Sequence, residues 1–370
     1  MKVLVTGSQG FLGKNLIVRL RELKKFEILE FHRGVAENEL AALVHKADFI
    51  FHLAGVNRPL DVKEFSEGNA TLTQKICDLV AHSGKKTPIV YTSSIQAEKN
   101  NDYGVSKKQA EDFLFALQKQ APVYIYRLPN IFGKWSKPNY NSAVATFCYN
   151  IANDLPITIH DEQAVVKLVY VDDVVSEFIS VLEDSFSENP PPQGYRQVAP
   201  VFTVKVGELA ERIRAFKSSR QTLVTEHVGV GLDRALHATY LSFLKPEQFS
   251  YSVPRYADQR GVFVEMLKTK ESGQFSFFTA GPGITRGGHY HHTKTEKFLI
   301  LKGKGRYRFR HIVTKEFYEL DVDASESKIV ETIPGWSHDI TNIGSDELVV
   351  MLWANEIFDR QKPDTIGHEV

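Results

Sequence analysis

The sequence predicts two domains of different class. Residues 1–245 read as a Rossmann-type, doubly wound parallel α/β sheet, and residues 246–370 as an all-β barrel or sandwich. Three observations predict this. The chain has 370 residues, beyond the ~250–300 at which a single core stops growing efficiently. Its early apolar runs are continuous and β-branched, as in strands buried on both faces. From about residue 250 the apolar residues recur with period 2, as in a sheet with one solvated face.

In the first part, KVLVTG, FEILEF, ADFIFHLAG, PIVYTSS and VYIYRLP alternate with amphipathic segments, the order of a parallel sheet wound by helices. SENPPPQG at 187–194 is a Pro-rich connection. After it, YRQVA reads as a further strand and TVKVGELAERIRAFK as an amphipathic helix, both assigned to the first domain. GQFSFFTA, EKFLILKG, GRYRFRHI and ELVVMLWA supply the period-2 strands of the second.

With 45 basic and 45 acidic residues the chain has no global field to recruit nucleic acid or an anionic membrane, so small molecules are the expected partners. Cys77 and Cys148 are too few for a disulfide framework or a thiolate metal site. MKVLVTG runs into a strand and turn rather than a signal peptide, and no apolar run approaches membrane-spanning length. The expected location is cytoplasmic.

Gly7, Gly10 and Gly13 follow a strand and open a helix. Glycine there lets a pyrophosphate approach the backbone at a helix N-terminus, so the turn reads as a nucleotide site. The second strand ends in His32 and Arg33, which suit the 2′-phosphate of NADPH, whereas Glu30 suits the ribose hydroxyl of NADH. The expectation is NADPH. In NDYGVSKKQAE, Tyr103 and Lys107 share one helix face, where the ammonium can lower the phenol's pKa. Tyr103 can then protonate a carbonyl oxygen that Ser94 holds by a hydrogen bond.

These segments, with HLAG, RLPNIFG and YVDDVV, resemble the extended short-chain dehydrogenase/reductase family of nucleotide-sugar epimerases, dehydratases and reductases, over residues 1 to about 240. The resemblance implies Ser94, Tyr103 and Lys107 as catalytic residues. It implies a cofactor cradle of Gly7, Gly10, Phe11, Leu12, Gly13, His32, Arg33, Leu53, Ala54 and Gly55, together with Tyr103 and Lys107. Asn57, Arg58, Ser94, Arg127, Asn130 and Lys134 would face the nucleotide sugar. The family's 4,6-dehydratases carry Asp-Glu directly after the residue matching Ser94. This chain has Ile95-Gln96, which favours reduction of an existing ketone.

In GGHYHHTKTEKFLILKGKG, His289 and His291 fall on one strand face, and Glu296 follows. PGWSHDITN adds His338 and Asn342. Three imidazoles and a carboxylate suit zinc, iron, manganese or nickel. Both segments resemble the two motifs of the cupin family, which implies a double-stranded β-helix (jelly roll) and His289, His291, Glu296 and His338 as ligands. Zinc is the expected ion, and His292 is an alternative to His291.

DQRGVFVE and TRGGHY further resemble the dTDP-4-keto-6-deoxysugar 3,5-epimerases. In those enzymes the residue matching His289 is a base and the one matching Lys297 stabilises an enolate. Tyr290, His292, Lys297 and Tyr307 are therefore the candidates for an epimerase role. The order of FIFHLAGVNRP, GKWSKPNYNS and TRGGHYHHTKTEKF resembles bifunctional capsule-biosynthesis enzymes that fuse both domain types. That implies a UDP-2-acetamido-2,6-dideoxy-4-keto-hexose, C3 epimerisation in the cupin and C4 reduction by NADPH. The product would be UDP-2-acetamido-2,6-dideoxy-L-talose, on the route to UDP-N-acetyl-L-fucosamine. A homodimer is expected by the same analogy. The other readings are a simple reductase with a non-catalytic sensing or dimerisation cupin, and a metal oxygenase.

Overall fold

The computed structural model describes every residue except Leu60, Thr293, Val313 and Lys362. The chain divides into two compact units, Met1–Ile213 with Ala235–Leu244, and Arg214–Arg234 with Lys245–Val370.

The first unit is built on β1 (Lys2–Thr6), β2 (Glu27–Phe31), β3 (Phe49–His52), β4 (Ile89–Ser94) and β5 (Val123–Leu128). With β8 (Gly194–Arg196) they form a parallel sheet of order β2-β1-β3-β4-β5-β8. On one face, Leu4, Ile50 and Tyr91 pack with Leu40, Val44, Ile76, Val80 and Leu114 from the helices Glu39–Lys46, Leu72–His82 and Asp102–Leu117. On the other, Phe51 stacks on Phe178 of the helix Val171–Asp184. β-branched strands buried on both sides thus give the doubly wound sheet. Its order reverses between β1 and β3, which opens a ligand crevice at their carboxyl ends.

β6 (Asn130–Phe132), β7 (Val165–Tyr170) and β9 (Phe202–Lys205) form a smaller sheet. TVKVGELAERIRAFK therefore departs from expectation: Phe202–Lys205 is a strand, and the helix is Val206–Thr222. The antiparallel pairing of Val204 with Val166 claims the β-branched residues for the sheet.

The second unit contains two sheets. One has the order β10-β12-β13-β20-β15-β18, with β11 paired to β12, and the other β17-β16-β19-β14-β21. The strands are β10 (Val224–Thr225), β11 (Arg255–Asp258), β12 (Gly261–Thr269), β13 (Gly273–Ala280), β14 (Thr285–Tyr290), β15 (Glu296–Lys302), β16 (Lys304–His311), β17 (Phe317–Asp323), β18 (Ile329–Glu331), β19 (Trp336–Asn342), β20 (Leu348–Ala354) and β21 (Ile366–Gly367). Phe278, Phe298, Ile300, Tyr307, Phe309, Ile340 and Val350, at alternate strand positions, form its core. This is the expected cupin. The segment 214–234 clusters with this unit rather than the first, because β10 pairs with Lys268 and Thr269 of β12. The line expected at 245/246 is displaced by that excursion.

Candidate active sites in the two units

At the crevice, Gly7 has φ +70°, and a Cβ there would lie 2.8 Å from the Ala54 nitrogen. A Cβ on Gly13 would lie 2.3 Å from the Gly7 oxygen. Glycine is therefore required for the turn to pack between Leu53–Gly55 and the helix Phe11–Leu23. That helix starts at Gly10 with no side-chain cap and no acidic residue in its first turn, which suits an incoming anion. Buried His52 joins Thr6 (2.8 Å) to Thr73 (2.8 Å) beneath the turn. Burial, and then the charge of Lys107, push its pKa down to about 3.

Of the residues expected to select the cofactor, Glu30 is paired with Arg21 at 2.8 Å. His32 hydrogen-bonds Gln9 at 3.1 Å, and Arg33 is exposed.

Ser94 ends β4 and accepts from the Gln96 amide at 3.1 Å. Asn101 caps the next helix, accepting from the Gly104 amide at 2.8 Å, so Tyr103 lies in its first turn and Lys107 one turn on. Burial raises the Tyr103 phenol and a hydrogen bond with Ser94 opposes it. The expected lowering by Lys107 is corrected here. Lys107 turns its ammonium to the Thr92 carbonyl (3.0 Å) and Tyr91 hydroxyl (3.3 Å). Burial pushes the Lys107 pKa down to about 8, against the charge of Glu111.

The residues expected to face the sugar have separate surroundings. Arg127 donates to fully buried Glu111 (2.6 and 2.9 Å), to Glu98 (2.7 Å) and to the Tyr195 hydroxyl (2.7 Å), and is a strut across the sheet. Lys134 pairs with Asp172 at 2.5 Å, and Asn130 donates to the Lys167 carbonyl at 3.3 Å. Asn57 accepts from the Tyr140 hydroxyl at 3.0 Å, and both Arg58 and Lys137 lie over the Tyr140 ring. This polar and aromatic group, of which Tyr140 and Lys137 were not anticipated, lies in the same unit.

In the second unit the ligand-type atoms of His289, His291, Glu296 and His338 all lie within 4.8 Å of one another. β14 and β19 bring His289 opposite His338. Glu296 Oε2 faces His291 Nε2 (3.2 Å) and His338 Nε2 (3.4 Å). His338 Nε2 is buried and has no hydrogen-bond partner among the described residues. Burial, then the neighbouring His338, push His289 down to about 4, which leaves the ring neutral with one nitrogen free to bind a cation. Burial raises the Glu296 carboxyl, but the facing His291 and His338 rings and the charge of Lys294 outweigh it and hold the group ionised. Three imidazole donors, one of them with an orphaned nitrogen, and one carboxylate fit a divalent cation.

The cluster contains His291, whereas His292 is exposed with its ring against Tyr290. Tyr290, adjacent to His289 in β14, also packs near His368. Lys297 is a correction. Adjacent to Glu296 in a strand, it projects from the opposite face, pairs with Glu331 at 3.0 Å and lies over Trp353. The ammonium beside the cluster belongs to Lys294, buried and 3.0 Å from Glu296 Oε1. Tyr307 lies inside the barrel core beside Phe298, its hydroxyl without a partner among the described residues. Asn342 is structural, donating to the Ala280 and Asp346 carbonyls.

Residues 3–193 match the NAD dependent epimerase/dehydratase family, and the chain belongs to it. Residues 256–366 match the polysaccharide biosynthesis C-terminal domain. A Pseudomonas aeruginosa protein described as UDP-2-acetamido-2,6-beta-L-arabino-hexul-4-ose reductase is 56% identical, over 100% of this chain and 99% of its own. The crystal structure of the capsular polysaccharide assembling protein CapF from Staphylococcus aureus is 43% identical, with TM-score 0.91 and full coverage of both chains. UDP-glucuronic acid 4-epimerase from Bacillus cereus, 17% identical with TM-score 0.56 over 66% of this chain and 98% of its own, shares the fold. No helix among the described residues is long and apolar enough to cross a membrane.

Proposed function

We propose that the protein is an NADPH-dependent reductase of a UDP-4-keto-6-deoxy-N-acetylhexosamine whose β domain first inverts C3 of the same sugar. The Ser94, Tyr103 and Lys107 constellation beside the glycine turn supports reduction, as does the description of the Pseudomonas aeruginosa relative. The single observation that carries the second activity is the four-residue cluster with the Lys294 ammonium against it.

Carbon chemistry fixes the order. A C3 proton beside a C4 ketone is acidic, because the electron pair it leaves behind delocalises onto O4. Once C4 is an alcohol that route is closed, so epimerisation precedes reduction.

In the β domain, Lys294 takes the role expected of Lys297 and stabilises negative charge on O4 while C3 is deprotonated. A divalent cation held by His289, His291, Glu296 and His338 would add Lewis acidity toward a carbonyl oxygen. Tyr307 is the remaining interior candidate for a proton-transfer role.

In the reductase domain, NADPH held at the turn of Gly7, Gly10 and Gly13 would supply hydride chemistry at C4. Ser94 orients O4 by a hydrogen bond and Tyr103 gives O4 its proton, while the Lys107 charge holds the pocket positive. The product is UDP-2-acetamido-2,6-dideoxy-L-talose, a precursor of UDP-N-acetyl-L-fucosamine for capsule or O-antigen.

NMR in D2O with the UDP-4-keto-6-deoxy-N-acetylhexosamine tests this reading. Deuterium should enter C3 without NADPH, and addition of NADPH should convert the ketone to the 4-alcohol. Reduction with no exchange at C3 would leave a simple reductase carrying a non-catalytic cupin.

A further inference from the structure

We propose that the C-terminal segment Asp364–His368 is a clasp that positions the histidine ligands of the β domain, with Asp364 as its anchoring residue. The inference rests on the metal reading above.

The main-chain oxygen of Asp364 lies 2.5 Å from His291 Nδ1. A carbonyl only accepts, so His291 carries its proton on Nδ1 and turns the Nε2 lone pair toward Glu296 and the cluster. The same residue's carboxylate accepts from two amides of the loop that follows, His292 N–H on Oδ1 (2.9 Å) and Lys294 N–H on Oδ2 (2.9 Å). One residue therefore sets both the tautomer of a ligand and the path of the loop carrying it.

The clasp reaches the other two imidazoles through the backbone. β21 pairs with the end of β14, placing Gly367 opposite His289 and Ile366 opposite Tyr290. The His368 amide donates to the Gly288 carbonyl at 3.0 Å. Ser337, next to His338, donates its hydroxyl to the His368 carbonyl at 2.5 Å. This support falls where β14 is weakest, since Gly287 and Gly288 have φ of +104° and +79° and the β14–β19 register shifts between Gly287 and His289. Two glycines and a bulge leave a strand end with little stiffness of its own.

Glu296 is fixed independently. Its amide donates to Thr332 Oγ1 at 2.9 Å, and its carbonyl accepts from the Thr332 amide at 3.0 Å. Loss of the clasp should therefore disturb the histidines and spare the carboxylate. Partners that orient metal ligands are commonly worth about 10- to 100-fold in metal affinity.

The test uses the full chain as wild type, Asp364→Ala and Asp364→Asn. Zn2+ affinity is read by competition with a chromophoric chelator, and ligand geometry from the visible spectrum of the Co2+ form. Asp364→Ala should weaken Zn2+ by about 10- to 100-fold and shift the Co2+ bands. Asp364→Asn, which keeps one acceptor oxygen but turns an NH2 toward the second amide, should fall between. NADPH oxidation with a 4-keto sugar whose C3 is already inverted should be unchanged in all three.

Wild-type affinity and an unaltered Co2+ spectrum in Asp364→Ala would overturn the clasp and leave the metal reading standing. A wild type that binds neither ion would overturn the metal reading and the clasp with it. If Asp364→Ala lacks a cooperative thermal transition for the β domain, Asp364→Asn and Ser337→Ala decide, and wild-type affinity in both overturns the clasp.

Discussion

Lys294 places its ammonium 3.0 Å from Glu296 Oε1, while the other oxygen of that carboxylate faces His291 and His338. A buried cation beside a cation site repels the ion and so does not serve affinity. On the proposed reading its use is to stabilise developing negative charge on the substrate. Lys294→Met keeps the aliphatic stem but removes the ammonium, which lies 5.6 Å from the Phe358 ring centroid. C3 deuterium exchange should fall by about 100-fold or more, the loss typical of a removed oxyanion donor, with metal content retained. Wild-type exchange in this variant would contradict the role.

Arg127 is expected to act on stability rather than on substrate. Its guanidinium neutralises Glu111, whose side chain is fully buried. Arg127→Met would strand that carboxylate and destabilise the reductase domain by about 3–5 kcal/mol. Thermal unfolding checks this, and an unchanged midpoint with a raised KM for the sugar would restore Arg127 to the substrate pocket.

The pH dependence of reduction follows from Lys107. Its pKa lies near 8, depressed by burial. kcat/KM for NADPH-dependent reduction should therefore decline above pH about 8 as the ammonium is lost. Stability moves the other way: between about 8 and the unfolded value of ~10.4 the unfolded chain binds more protons, so this group makes unfolding harder as pH rises. An alkaline limb that coincides with unfolding, or that begins only near the ordinary lysine range, would contradict the assignment.

Arg33 is exposed two residues beyond β2, while Glu30 is occupied by Arg21. Arg33→Ala should shrink the preference for NADPH over NADH in kcat/KM. An unchanged ratio would remove Arg33 from the cofactor site.

Legibility in the sequence followed the range of the interaction. Gly7, Gly10 and Gly13, the Tyr103/Lys107 spacing and the His289/His291/Glu296 run are local patterns whose meaning is set by one turn, one helical repeat or one pleat. The strand Phe202–Lys205 and the excursion 214–234 depend on partners far along the chain, Val166 and Lys268 among them, and so carried no local signal. Lys297 was misplaced by resemblance where strand alternation alone puts it opposite Glu296. Lys294 lies in the loop before β15, where period 2 says nothing. Asp364 is linked to His291 only by the folded barrel. The partners of Arg127 and Lys107 are likewise tertiary, and burial, rather than Lys107, dominates the Tyr103 phenol.

The most direct measurement is made on Tyr103→Phe, with NADPH absorbance and C3 deuterium exchange followed on one sample containing the 4-keto sugar. The variant lacks the hydroxyl proposed to protonate O4 and leaves every residue of the β domain in place. Two complete steps in two pockets predict that NADPH oxidation stops while exchange at C3 proceeds at the wild-type rate. Loss of both activities would contradict that division of labour.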